Sequence, residues 1–267
     1  MMEMKSGEQE QKMQGKEWLW SRPIAHRGLH DEDIPENSLP AFEAAARAGI
    51  PIELDVQLCK DGQAIVIHDD NLLRMTGDDL EVEKLTAAEI KELRFRGTDF
   101  SIPTFAEALS LIDGRVPILV EVKKHKKPLE QTVCAQLRAY SGEFAIQSFN
   151  PMVLRAFRKI APDFVCGLLS SKFEDMKLMR IKKAGIKNAR LFFMAKQPDF
   201  LSFEIHSFPN ERIAGFRKEL GIPILGWVIT TLSELETAEK FCDNIIFENL
   251  STLQAYIKYL GETAVTI

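Results

Sequence analysis

The chain has 267 residues, of which 45% are hydrophobic, and a formal net charge of −5 at neutral pH. That length suits one large domain or two small ones, and the hydrophobic content is enough for a sizeable core. A net negative charge disfavours a general nucleic-acid binder. No apolar run approaches the ~20 residues of a membrane span. The four cysteines are scattered, with no Cys-x-x-Cys pair, so we expect buried thiols rather than disulfides.

Residues 1–22 are predicted to be an N-terminal extension of a single domain that occupies 23–267. The first fourteen residues are rich in Glu, Gln and Lys and lack the apolar core of a secretory signal, which favours a cytoplasmic protein. Trp18, Leu19 and Trp20 carry much apolar area, so we expect them to pack against the domain.

Short apolar runs alternate with helical patterns along the domain. The predicted barrel strands cover 23–28, 51–59, 117–123, 144–148, 164–169, 201–205, 223–230 and 244–247. The predicted helices cover 38–49, 105–112, 128–140, 151–160, 173–184, 211–220, 234–241 and 253–260. Eight strands that alternate with helices predict an α/β fold, a (β/α)8 TIM barrel.

One region breaks this alternation after the second strand. A Lys60-Asp61-Gly62 turn leads from the second strand into a hairpin partner over 64–68. A charged insertion of about 70–102 follows, with one short helix predicted over 87–94. We expect this insertion to expose little apolar surface. Residues 190–198 are ambiguous, either a strand or a packed loop.

Charged residues share faces of two predicted strands. Glu53 and Asp55 lie on one face of the second strand, and Glu121 and Lys123 lie on one face of the third, because alternate side chains of a strand point the same way. The chemistry of a parallel α/β barrel sits at the carboxyl ends of its strands. We therefore expect these charges to meet at the mouth of the barrel.

The charge balance of this cluster suggests a ligand. The three carboxylates sum to minus three, and Arg27 and Lys123 contribute plus two. A divalent cation that prefers oxygen ligands would bring the total to plus one, which one phosphodiester would neutralise. His26 and His68 end apolar runs nearby, and imidazole is the natural group for proton transfer near neutral pH.

Eight short motifs occur along the chain in a characteristic order. They are His26-Arg27-Gly28, Pro35-Glu36-Asn37-Ser38, Glu53-Leu54-Asp55-Val56, Lys60-Asp61-Gly62, His68-Asp69, Glu121-Val122-Lys123, Gln147-Ser148-Phe149 and Trp227. This ordered set resembles the glycerophosphodiester phosphodiesterase family, over roughly 24–250. The resemblance implies metal-dependent hydrolysis of a small-molecule glycerophosphodiester to glycerol 3-phosphate and an alcohol.

The residue patterns and the resemblance together predict a set of roles. His26 and His68 are the expected acid–base pair, with His26 preferred as base and His68 as acid. Glu53, Asp55 and Glu121 are the expected ligands of one divalent cation, Mg²⁺ or Ca²⁺, with Mn²⁺ as an alternative. The expected substrate-binding and phosphate-binding residues are Arg27, Lys123, Asn37, Phe149 and Trp227. Asn37 is equally well interpreted as a helix-start residue, and either water or the glycerol 2-hydroxyl serves as nucleophile.

Some alternatives stay open at the level of sequence. The last strand ends in Phe247-Glu248-Asn249-Leu250 instead of the family's usual Thr-Asp-x-Pro-like turn, so the headgroup is not predicted. A lysophospholipase D or a phospholipase C-like enzyme is the runner-up, and a non-catalytic phosphodiester-binding protein is the alternative of another class. No nucleic-acid partner and no stable membrane anchor are expected, and the oligomeric state is not predicted. The other histidines, His30, His125 and His206, are expected to make only surface or local polar contacts.

Overall fold

The computed structural model describes residues 12–171, 198–210, 213, 218 and 221–248. The helices predicted over 173–184 and 253–260 lie outside the described residues. So do nearly all of the ambiguous segment 190–198 and most of the helix predicted over 211–220.

Eight parallel strands close into a barrel. The described strands are β1 (Ile24–Ala25), β2 (Ile52–Leu58), β3 (Ala64–Val66), β4 (Ile118–Val122), β5 (Phe144–Ser148), β6 (Cys166–Ser170), β7 (Phe200–Glu204), β8 (Ile224–Ile229) and β9 (Asn244–Phe247). The barrel closes because β1 pairs with both β2 and β9. β3 is the additional strand, and it runs antiparallel to β2. The predicted TIM barrel is confirmed.

Helices surround this barrel. Those with described bounds are α1 (Trp18–Ser21), α2 (Leu39–Arg47), α3 (Leu73–Thr76), α4 (Ala87–Glu92), α5 (Phe105–Ile112), α6 (Leu129–Ala139), α7 (Pro151–Ile160) and α8 (Leu232–Phe241). Local sequence determines where several of them begin. Thr104 and Thr231 each form a capping box with the glutamate three residues later, and the Ser38 hydroxyl accepts a hydrogen bond from the Ala41 N–H.

Two predicted elements differ from the structure. The first strand is only two residues long, because Arg27 and Gly28 adopt φ angles of 55° and 83° that turn the chain away from the sheet. Gly28 is required there, since a Cβ atom would lie 2.9 Å from the backbone of Ala41. The insertion holds α3 and a 3-10 turn at Val82–Lys84 as well as the predicted α4, since it buries a small core of its own.

The barrel has an apolar floor. Outward side chains of β2, such as Leu54 and Val56, pack beneath the helices, whereas Leu119, Phe200 and Ile246 fill the interior. Gly167 makes room for the Phe200 ring, because a Cβ atom there would lie 2.1 Å from it. No disulfide links the four cysteines, all of which lie in described ranges, so the expectation of unlinked thiols is confirmed.

Helix α1 closes the bottom of the barrel. Trp18 and Leu19 are buried in the same cluster as the floor residues, and Trp20 packs against it. Asn244 at the start of β9 donates hydrogen bonds to the Leu19 carbonyl at 3.0 Å and the Arg22 carbonyl at 2.6 Å. The predicted packing of these apolar residues against the domain is confirmed.

We expect Leu19→Ala to destabilise the protein by about 2–5 kcal/mol, because it leaves a cavity in the barrel floor. Chemical denaturation measures this loss of stability. Turnover at low temperature should stay normal, because the charged residues that we expect to carry the chemistry lie at the mouth of the barrel and not at its floor. Leu232→Ala is the control, because Leu232 is exposed. Equal stability of the Leu19 variant and the unmodified chain would contradict the docking of α1.

Candidate active site

Three buried carboxylates face the barrel interior from adjacent strands. Glu53 and Asp55 come from β2, and Glu121 on β4 lies in register with Asp55. None is more than 6% exposed, and one oxygen of each lies within 4.8 Å of the others. The alternation of side chains along β2 predicted that Glu53 and Asp55 share a face. The register between β2 and β4 then places Glu121 beside them.

Negative charge is crowded in this triad. Burial, followed by the charges of Asp55 and Glu121, raises the pKa of Glu53 well above its usual range. Burial and then Asp55 raise the pKa of Glu121 to about 7. A divalent cation would relieve this repulsion, and carboxylate oxygens are the donors that hard cations prefer. The donor set therefore fits one hard divalent cation.

Asp55 is stabilised as an anion by two cations. Lys123 Nζ lies 3.2 Å from Asp55 Oδ1, and Arg27 Nε lies 3.2 Å from Asp55 Oδ2. Burial alone would raise the pKa of Asp55, but Lys123 and Arg27 outweigh it and lower the pKa to about 2. Lys123 Nζ also lies 2.7 Å from Glu121 Oε1, so both predicted phosphate-binding cations border the triad.

Asn37 holds Asp55 in place. Its Nδ2 donates to Asp55 Oδ2 at 2.8 Å, and its Oδ1 accepts from the Asp55 N–H at 3.2 Å. The residue is buried and has a φ of 55°, a conformation that asparagine tolerates better than most residues. Ser38 rather than Asn37 caps α2, so the alternative interpretation of Asn37 as the helix-start residue is wrong.

His26 is positioned by the end of β9. The backbone N–H of His26 donates to the Phe247 carbonyl at 2.9 Å. The ring nitrogen Nδ1 lies 3.2 Å from Glu248 Oε2. Burial lowers the pKa of His26, although its hydrogen bond with Glu248 opposes this shift. No role was predicted for Glu248, which was noted only as a departure from the family's usual ending. Its contact spans 222 residues of chain, so no local pattern could reveal it.

His68 reaches the site through the hairpin that follows β2. The predicted hairpin partner over 64–68 is β3, which runs antiparallel to β2 and ends just before His68. The Ile67 N–H donates to the Asp55 carbonyl at 3.1 Å, and Gln57 Nε2 donates to the His68 carbonyl at 2.8 Å. These bonds fix the His68 backbone beside the triad.

A chain of ion pairs links the His68 side of the site to Arg27. His68 Nδ1 lies 2.7 Å from Asp69 Oδ1, and Arg74 bridges Asp69 and Glu36. Glu36 Oε1 in turn accepts from Arg27 at 2.6 Å. Glu36 and Asp69 lie inside the family motifs, yet no role was predicted for either of them, nor for Arg74.

Arg74→Ala is expected to lower kcat about ten-fold, because it frees both Asp69 and Glu36 and loosens the orientation of His68 and Arg27. Steady-state kinetics measure the effect, and KM should change less than kcat. Arg47→Ala removes an exposed arginine that pairs with Glu43 on α2 and serves as the control. An unchanged kcat in Arg74→Ala would mean that the ion-pair chain positions nothing.

Two aromatic side chains contact each other, one from the residue after the carboxyl end of β5 and the other from β8. Phe149 and Trp227 form an edge-to-face contact with ring centroids 5.5 Å apart. Phe149 is exposed, and Trp227 also packs on the cluster of floor residues. The structure thus brings together the two aromatic residues predicted to line the substrate pocket.

The expectation that the insertion exposes little apolar surface is wrong. Leu73, Leu80 and Phe100 are 48%, 39% and 39% exposed. The insertion's small core takes in other residues, such as Leu72 and Ile90, and leaves these three outside. Among the described residues, no helix has the length and apolar character needed to cross a bilayer.

The fold is a TIM barrel, and its mouth carries a carboxylate triad bordered by two cations, an arrangement suited to the hydrolysis of a phosphoric diester. The sequence model of the glycerophosphoryl diester phosphodiesterase family matches residues 26–231. The chain belongs to this family, and the predicted family, fold and enzyme class are confirmed.

One relative agrees with this family, and two solved structures agree with the fold. The chain is 37% identical to a glycerophosphodiester phosphodiesterase from Caldanaerobacter subterraneus subsp. tengcongensis, over 86% of this chain and 95% of the relative. A crystal structure of a glycerophosphoryl diester phosphodiesterase described as putative, from Silicibacter pomeroyi, superposes with a TM-score of 0.76 at 22% identity, covering 89% and 93% of the two chains. An Oleispira antarctica phosphodiesterase in complex with its product sn-glycerol-3-phosphate superposes with a TM-score of 0.74 at 24% identity, covering 90% and 98%.

Proposed function

We propose that the chain hydrolyses glycerophosphodiesters to glycerol 3-phosphate and an alcohol, with His26 and His68 transferring the protons. The observation that carries this proposal is the single cluster at the barrel mouth. There the carboxylate triad is bordered by Arg27 and Lys123, and β3 brings His68 beside it. Because both histidines and all three carboxylates are present, catalysis is favoured over binding alone.

Glu53, Asp55 and Glu121 would hold the divalent cation, Mg²⁺ or Ca²⁺, with Mn²⁺ as an alternative. When bound, such an ion polarises a phosphoryl oxygen and stabilises the negative charge that develops on it. Arg27, which is already paired with Asp55 and Glu36, would offer its remaining N–H groups to phosphoryl oxygens, and Lys123 would offer a point charge. Asn37 supports cation binding because it holds Asp55 at two points, donating to its carboxylate and accepting from its backbone N–H.

His26 is suited to act as the base. Glu248 accepts from the Nδ1–H in the tautomer that we assign, which leaves the lone pair of Nε2 for the proton of the nucleophile. Burial lowers the pKa of His26 and so keeps the ring neutral before the reaction.

His68 is suited to act as the acid that protonates the departing alcohol. Its Nδ1 lies against the Asp69 carboxylate, which orients the ring. Both water and the glycerol 2-hydroxyl fit as nucleophile, and the second would pass through a cyclic phosphate. Detection of that cyclic phosphate during turnover separates the two routes.

A lysophospholipid is the second candidate substrate, and the exposed Leu73, Leu80 and Phe100 favour it. A comparison of kcat/KM for glycerophosphocholine and lysophosphatidylcholine tests the choice. We expect the soluble diester to be preferred by about ten-fold or more, since the relative that the chain matches over 95% of its length is a glycerophosphodiester phosphodiesterase. A preference for the lysolipid that disappears in a Leu73→Ser/Phe100→Ser double variant would reverse the assignment.

A further inference from the structure

A second group of metal-ligating side chains lies where β1 meets β9. His26 and Glu248 follow these two strands, and His30 lies in the loop after β1. His26 Nδ1 is 3.2 Å from Glu248 Oε2, and His30 Nε2 is 3.6 Å from Glu248 Oε1. One ligand atom from each of the three residues lies within 4.8 Å of the others.

We propose that His26, His30 and Glu248 form a second cation site, which takes a borderline-soft ion such as Zn²⁺. Two imidazole nitrogens and one carboxylate are typical zinc donors, whereas Mg²⁺ and Ca²⁺ prefer the all-oxygen triad. Tetrahedral zinc with bonds of about 2.0–2.2 Å separates neighbouring ligand atoms by roughly 3.4 Å. Each imidazole nitrogen lies close to this distance from one oxygen of the Glu248 carboxylate, with 3.2 Å from His26 Nδ1 to Oε2 and 3.6 Å from His30 Nε2 to Oε1.

His30 provides an independent indication of a missing partner. Its Nε2 is buried and has no hydrogen-bond partner within the described part of the chain, although it points at Glu248. A buried polar nitrogen left without a hydrogen bond is unusual in folded proteins. A cation between the three side chains would satisfy it, and the partly exposed Glu248 leaves a path to solvent.

Occupancy of this site would inhibit hydrolysis, because His26 belongs to both groups. A metal ion bound to His26 Nδ1 displaces the proton that this nitrogen shares with Glu248. In the neutral ring the proton then resides on Nε2, which loses the lone pair needed to accept a proton from the nucleophile. This consequence rests on the proposed role of His26 as base, whereas the binding of zinc does not.

Binding is tested with the tag-free chain in excess Mg²⁺, which occupies the carboxylate triad. Competition with a chromophoric chelator should find one zinc ion that millimolar Mg²⁺ or Ca²⁺ does not displace. His30→Gln should weaken zinc binding by about ten-fold or more, since it removes one of three ligands. His206→Gln removes an exposed histidine that pairs with Glu234 and should leave the affinity unchanged. Equal zinc affinity of His30→Gln and the unmodified chain would overturn the proposal.

Inhibition provides the second readout. In excess Mg²⁺, zinc should inhibit glycerophosphodiester hydrolysis. The His30→Gln variant should need about ten-fold more zinc, or a larger excess still, for the same degree of inhibition. Turnover with identical zinc sensitivity in both chains would overturn the inhibitory site alone. An absence of turnover in every chain would count against the proposed function, while the chelator competition would still decide the zinc site.

Discussion

Replacing either His26 or His68 with alanine is expected to lower kcat by about 10²- to 10⁴-fold, the usual contribution of a positioned proton-transfer group. Each ring is held by a carboxylate outside the triad, Glu248 or Asp69. Neither substitution removes one of the three carboxylates of the triad, so both variants should still bind a divalent ion there. Loss of turnover with retained ion binding is the signature of a missing acid or base.

The measurement is the release of glycerol 3-phosphate from a glycerophosphodiester at saturating divalent ion, together with thermal unfolding. His125→Ala is the matched control, because His125 pairs with Glu130 on α6 rather than with the site. We expect this control to retain full activity. Normal activity in His26→Ala or His68→Ala, with normal unfolding, would disprove the acid–base assignment for that residue.

Glu53→Gln is expected to abolish activity and yet to stabilise the metal-free protein. The pKa of Glu53 is raised in the folded state by burial and then by Asp55 and Glu121. A carboxyl with a raised pKa binds more protons when folded than when unfolded, so folding stability falls as the pH rises from the ordinary carboxyl range through the raised pKa. Glutamine has nearly the shape of glutamate but carries no charge. The variant should therefore not suffer the loss of folding stability that the ionisation of Glu53 causes at higher pH.

The measurement is the unfolding temperature in EDTA at acidic pH and at about pH 8. We expect Glu53→Gln to unfold at a higher temperature than the unmodified chain at the higher pH, and the difference to shrink at acidic pH. Added Mg²⁺ should stabilise the unmodified chain but not the variant, since ligands stabilise only the state that binds them. Glu92→Gln, at an exposed carboxylate on α4, is the control. A destabilised or fully active Glu53→Gln would contradict the metal-ligand role.

Local periodicity explains why much of the fold could be predicted. Strands such as β2 and β4 show alternation within a few residues, and α5 and α8 begin at capping boxes that are visible in the sequence. Glu53 and Asp55 point the same way because they lie two residues apart on one strand, so a local pattern was enough to predict their shared face. The short β1 could not be predicted, because the turn at Arg27 and Gly28 depends on their packing against α2.

The site residues that the sequence missed depend on contacts between distant segments. Glu248 meets His26 across the closure of the barrel, and Arg74 meets Glu36 across 38 residues. The Lys60-Asp61-Gly62 turn predicted the hairpin that leads to His68, but not the hydrogen bonds by which Ile67 and Gln57 hold its backbone beside the triad. Such contacts follow from register and topology, which a single sequence does not encode locally.

The most direct test of the central claim is the release of glycerol 3-phosphate from glycerophosphocholine, first in EDTA and then with Mg²⁺, Ca²⁺ or Mn²⁺. We predict that EDTA abolishes the release and that one of these ions restores it, which would also identify the metal. Release that EDTA leaves unchanged would contradict a role for the carboxylate triad in catalysis. No release with any ion would contradict hydrolysis of this soluble diester.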